Sequence, residues 1–104
     1  MNKNINKIAI KNIESKSKLF KAFGDETRLR ILEYLLSYGD ECICRLANKL
    51  NKDQSTIFRH IQVLKEAGVV ITNKENKELR CSLKNRKRLI DFFEFVTNCQ
   101  SKCS

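Results

Sequence analysis

The sequence predicts a mainly α-helical single domain with one small β-hairpin. Three observations predict it. Apolar residues recur at intervals of three and four over most of the chain, the interval drops to two in one stretch near residues 69–83, and no proline, repeat or low-complexity linker interrupts the 104 residues. That length gives one domain over 1–104, and a hydrophobic content of 41% fills a modest core without disulfide staples.

Each element has its own signal. Ile5, Ile8, Ile10 and Ile13 among Asn and Lys form a weak amphipathic pattern that Leu19, Phe20 and Phe23 continue as far as Gly24, a helix stop. Asp25 is an N-cap for a helix through Leu29, Leu32, Leu35 and Leu36, and Gly39 ends it. A short helix runs from about Glu41 to Leu50 with Leu46 and Leu50 inward, and the turn Asn51-Lys52-Asp53 leads to a helix capped by Asp53. After Gly68 come Val69, Val70 and Ile71, a polar loop from Asn73 to Glu78, and alternating Leu79, Cys81 and Leu83, a hairpin with a charged tip. From Lys84 the helical period returns, with Leu89, Phe92, Phe93, Val96, Cys99 and Cys103 in one stripe.

Charge narrows the partner. With 21 Lys and Arg against 12 Asp and Glu, the net charge of +9 favours a polyanion, nucleic acid before a membrane surface. No segment approaches the roughly 18 apolar residues of a spanning helix, and the N-terminus has no signal-peptide core, so the expected location is the cytoplasm. There, five cysteines read as thiolates, metal ligands or small core residues rather than as a disulfide framework.

The helix after Asp53 is the most informative part. Ile57, Ile61 and Leu64 share one face, while Gln54, Ser55, Thr56, Arg59 and Gln62 carry amide, hydroxyl and guanidinium groups able to reach base edges and phosphates. The competing readings are a solvated face, Arg59 paired to Glu66 or Asp53, and Gln54 as only an N-terminal helix residue. His60, the single histidine, lies in the same helix and makes a DNA or a packing contact. The element order is that of a winged helix-turn-helix, with the helix-turn-helix at 41–67 and the wing at 69–83. Lys52, Lys74 and Lys77 would meet phosphates rather than bases.

Four blocks make the likeness specific: Leu19-Phe20-Lys21-Ala22-Phe23-Gly24-Asp25-Glu26-Thr27-Arg28-Leu29-Arg30-Ile31-Leu32, then Glu41-Cys42-Ile43-Cys44-Arg45-Leu46-Ala47, then Gln54 to His60, and then Leu64 to Val70. In this order they resemble the arsenic-repressor (ArsR/SmtB) family over roughly Leu19 to Leu83. The resemblance implies a homodimeric repressor that binds double-stranded operator DNA with no cofactor and releases it when a thiophilic metal or metalloid ion arrives. It further implies dimerisation through the terminal helices, 1–23 and 84–104, whose apolar stripes would otherwise stay wet. It assigns DNA contacts to Gln54, Ser55, Thr56, Arg59 and His60.

Cys42 and Cys44 match the family's thiolate pair, and soft sulfur selects arsenic(III), antimony(III), cadmium or lead over magnesium or calcium. On a regular helix positions two apart diverge by about 200°, so both sulfurs would grip one ion only if the first turn unwound. The alternative is that they simply fill space in the core. Where the arsenic-sensing pattern has a third cysteine, this chain has Ala47. Cys99 and Cys103, one turn apart, either complete the shell or extend the Phe92-Val96 stripe into the dimer core; three sulfurs would favour arsenic(III) or lead, and four cadmium or zinc. Cys81 alternates with Leu79 and Leu83 and reads as core. The last helix has no histidine beside Asp91 and Glu94, which argues against a zinc site there.

An enzyme is the contrasting class. Oxyanion-cradling reductases need Cys, five residues and Arg, yet Lys87 stands at that spacing from Cys81, and no Cys-x-x-Cys occurs. Two rivals keep the fold: a repressor switched by oxidation of Cys42, and a DNA-binding protein indifferent to ions.

Overall fold

The computed structural model describes residues 12–102; Ile5, Ile8, Ile10 and Cys103 lie outside the described residues. Helix α1 spans Ile13–Phe23, α2 Glu26–Tyr38, α3 Ile43–Leu50, α4 Gln54–Glu66 and α5 Arg86–Lys102; strands are β1 Glu41–Cys42, β2 Val70–Glu75 and β3 Glu78–Leu83. The three strands form one antiparallel sheet in the order β1-β3-β2. This is the winged helix-turn-helix expected from the periodicity, with α3 and α4 as the motif and the β2-β3 hairpin as the wing.

The helix ends obey local chemistry. The carboxylate of Asp25 accepts the backbone N–H of Arg28 at 3.0 Å, a true side-chain N-cap that holds this carboxyl below its usual range. Gly39, at φ 89 and ψ −165, occupies backbone space closed to other residues and turns the chain from α2 into β1. Asn51 stops α3 in the left-handed region at φ 59, its N–H reaching back to the carbonyls of Ala47 and Asn48.

The core gathers one face from every long element. Ile31, Leu32 and Leu35 of α2, Leu46 of α3, Ile57, Ile61 and Leu64 of α4, Val70 of β2 and Cys81 of β3 are fully enclosed. Cys81 is thus a core residue, as its alternation implied, and burial pushes its thiol up to about 12. Leu89 anchors α5, and Arg86 fastens the start of that helix by donating to the carbonyls of Leu35 and Leu36 at the end of α2. Farther along, Phe92 stacks on Phe23 at 5.2 Å between centroids, so α1 and α5 meet through aromatic rings.

Two boundaries differ from the sequence reading. Glu41 and Cys42 do not begin a helix; they pair with Cys81 and Arg80 of the wing, and α3 starts at Ile43. The polar segment at Asn73–Glu78 is not an open loop, because both strands run to its tip and leave only Asn76 and Lys77, at φ 49 and 69, as a two-residue turn. Among the described residues, no helix is long and apolar enough to cross a membrane.

Candidate nucleic-acid interface and thiol site

Helix α4 divides as its sequence demands. Ile57, Ile61 and Leu64 are sealed into the core, whereas Gln54, Ser55 and Arg59 are exposed and Thr56 is half-buried. Asp53 stands at the N-cap but caps no backbone group; its carboxylate accepts the Ser55 hydroxyl at 3.1 Å. The hydroxyls of Thr56 and Ser55 hold the Asp53 carboxyl below its ordinary range. Arg59 makes no ion pair among the described residues, with Glu66 or with Asp53. Lys52 before the helix and Lys74 and Lys77 on the wing are exposed as well.

His60 points away from this face. Its Nδ1 lies 3.1 Å from a guanidinium nitrogen of Arg28 and 3.8 Å from an Asp25 carboxylate oxygen, between α4 and the start of α2. Arginine can only donate, so Nδ1 accepts and the ring proton sits on Nε2. Burial is the main cause that holds the imidazole below its usual value of 6.5, opposed by Asp25 and reinforced by Arg28, Arg59 and Lys52. Of the two readings of His60, this geometry supplies the packing contact, between α4 and the start of α2.

Cys42 and Cys44 come together differently from a helical pair. Cys42 occupies the N-cap of α3 in extended backbone, at φ −78 and ψ 153, and Cys44 lies in the first turn; their sulfurs are 3.0 Å apart. The unwinding that a regular helix would require is therefore unnecessary, since the strand-to-helix junction already aims both thiols at one point. Cys42 is buried and Cys44 exposed, so the pair has one open side. Hydrogen bonding to Cys42 is the main cause that raises the Cys44 thiol, with desolvation and the nearby Glu78 carboxylate adding to it.

The pair borders a cleft lined by Gln54, Ser55 and Phe58 of α4 and by Lys77, Glu78 and Leu79 of the wing. Glu41, next to Cys42, is already engaged: it accepts the Tyr34 hydroxyl at 2.9 Å and the Cys42 N–H at 3.2 Å, and lies 3.8 Å from Arg45. Cys99 is exposed on α5 and does not join the cysteine pair among the described residues. Glu78 does: one of its oxygens and the two sulfurs all lie within 4.8 Å of one another. Sequence reasoning missed this carboxylate because it took the wing tip for a loop. An S–S separation near 3.8 Å suits two thiolates on a tetrahedral ion with bonds of roughly 2.3 Å, so the donors fit a small thiophilic ion after a sub-ångström opening.

The description "bacterial regulatory protein, arsR family" matches residues 25–72. The chain is 34% identical over 98 residues to the cadmium resistance transcriptional regulatory protein CadC of Listeria innocua, covering 94% of this chain and 82% of that one. It is 41% identical over 59 residues to the arsenical resistance operon repressor of Escherichia coli, covering 57% of this chain and 50%, only half the length, of that repressor. Among solved structures it is similar to HlyU from Vibrio cholerae, with a TM-score of 0.71 and 29% identity over 84% of this chain and 96% of that one. With its motif, wing and thiol pair in place, the chain belongs to the arsR family of bacterial regulatory proteins: a winged helix-turn-helix DNA-binding transcription regulator and not an enzyme.

Proposed function

We propose that the protein is a homodimeric repressor that holds operator DNA through α4 and the wing and releases it when a thiophilic ion occupies Cys42 and Cys44. One observation carries the reading: the two sulfurs, 3.0 Å apart, open into a cleft whose wall includes Gln54 and Ser55, the first turn of the recognition helix. Relatives named for arsenical and cadmium resistance support an ion of this class as inducer.

Gln54, Ser55, Thr56 and Arg59 are the base- and phosphate-reaching groups, with Lys52, Lys74 and Lys77 on flanking phosphates. A two-fold dimer presents two such helices to half-sites about 34 Å apart. Its interface lies along α1 and α5, where Phe20 and Phe95, with Leu29 of the adjoining α2, are exposed beside the ring cluster of Phe23, Phe92 and Phe93. Cys99, exposed on α5, enters this reading as a further donor or as part of the dimer core, and Cys103 lies outside the described residues.

A bound ion supplies positive charge that sets the spacing of the two sulfurs. Because Cys42 is the N-cap of α3 and α3 braces α4, that spacing is transmitted to the seat of Gln54 and Ser55. A hundredfold loss of operator affinity requires about 2.7 kcal/mol of preference for the released conformation, within ordinary allosteric coupling.

The test is a mobility-shift titration on the DNA upstream of its own gene, under full reduction, with arsenite and cadmium. Cys44→Ser, at an exposed position, should bind DNA as the parent does and ignore both ions. Normal release by that variant would reject the site. The 3.0 Å sulfur approach also favours a second reading, in which a peroxide takes two electrons and two protons from the pair to close a disulfide. Release by peroxide but by neither ion would select it.

A further inference from the structure

Three features of the wing meet at one carboxylate. Glu78 opens β3 directly after the turn, and its register partner across the hairpin is Glu75, a like-charge pairing that weakens a hairpin. Glu75 is compensated by Arg80 at 3.6 Å, but Glu78 has no ion pair among the described residues. What Glu78 does face is the mouth of the cysteine cleft, with an oxygen within 4.8 Å of both sulfurs.

We propose that Glu78 is the third protein ligand of the Cys42–Cys44 site, which makes the site a two-sulfur, one-oxygen cage for a divalent ion of the cadmium, lead or zinc class rather than for arsenic(III). The inference rests on the reading of the cysteine pair as the ion site and adds its coordination and selectivity. Carboxylate oxygen is an accepted partner of thiolate on such divalent ions. Arsenic(III) takes its strength from sulfur, and Ala47 leaves this protomer no third one within α3. Ligation by Glu78 also ties the wing to α3. Lys77 precedes Glu78 in the chain, so holding the carboxylate fixes where the lysine at the wing tip stands.

The experiment titrates the purified full chain, reduced and without DNA, with cadmium against a chelator and separately with arsenite, following sulfur-to-metal absorption. Glu78→Gln should weaken cadmium binding at least tenfold and change arsenite binding less than twofold. Glu78→Cys, which adds the missing sulfur, should tighten arsenite binding at least tenfold. Glu75→Gln, which removes a neighbouring charge without touching the cage, should leave cadmium affinity within twofold. If Glu78→Gln stays within twofold of the parent while Cys44→Ser abolishes binding, the carboxylate is not a ligand and the cysteine site stands. If Cys44→Ser also binds cadmium normally, the cysteine reading itself fails. Equal losses from Glu75→Gln and Glu78→Gln overturn ligation in favour of diffuse charge.

Discussion

Arg28 shows how much one side chain arranges here. Its Nε donates to the Ala22 carbonyl at 2.8 Å and a terminal nitrogen to Lys21 at 3.1 Å, closing the end of α1, while the other nitrogen meets His60 on α4. Three helices are thus registered by one guanidinium, and His60 must remain neutral to accept from it. Because the folded imidazole sits below its usual 6.5, the unfolded chain binds the extra proton first on acidification. The stabilisation is complete above pH 6.5 and is lost as the pH falls through the lower, folded value. We expect the melting temperature to drop between pH 7.5 and 5.5, and His60→Gln to flatten that drop; an equal drop in the variant would mean other groups cause it. The position of His60 was readable in advance. It lies three residues after Ile57 and four before Leu64, the spacing of the buried face, although its residue type suggested the DNA side.

Among the elements, the wing carries the clearest conflict between stability and function. Lys77 adopts φ 69 in a two-residue turn, a conformation that costs a residue with a Cβ about 1 kcal/mol relative to glycine. Lys77→Gly should therefore raise the melting temperature by roughly 4–8 °C. It should also remove one phosphate contact per protomer and lower the salt dependence of operator binding by about one unit for each. A variant that melts higher with an unchanged salt slope would show that the lysine touches no DNA. The same element marks the limit of the sequence. Long periodic stretches placed α2, α4 and α5, weaker or shorter signals placed α1 and α3, and the alternation of Leu79, Cys81 and Leu83 placed β3. Two residues cannot display an alternation, so β1 was invisible, and with it the extended backbone that brings Cys42 to Cys44. Glu78 was hidden for a related reason: its meaning depends on hairpin register, which a run of six polar residues does not reveal.

At the scale of the whole molecule, the described chain is extended, 54 × 32 × 21 Å with a radius of gyration of 15.6 Å, against about 13 Å for a compact domain of this length. The far half of α5, from Glu94 to Ser101, is exposed apart from half-buried Val96. Phe20, Phe23, Leu29, Phe92 and Val96 line a groove between α1, α2 and α5 that a second copy would close. Phe92→Glu places a charge in that groove; sedimentation should then report a monomer, and operator affinity should fall at least tenfold as one half-site is lost. A variant that still sediments as a dimer with intact circular dichroism would move the interface elsewhere. The two-residue strand has a last consequence. Glu41 and Cys42 are at once an edge of the sheet and the entry to a helix, with no slack on either side. Slack is what lets a bound atom's pull die out near where it acts. In the proposed switch, a displacement at one sulfur would then move α3 and the wing together, a shared joint in place of a hinge.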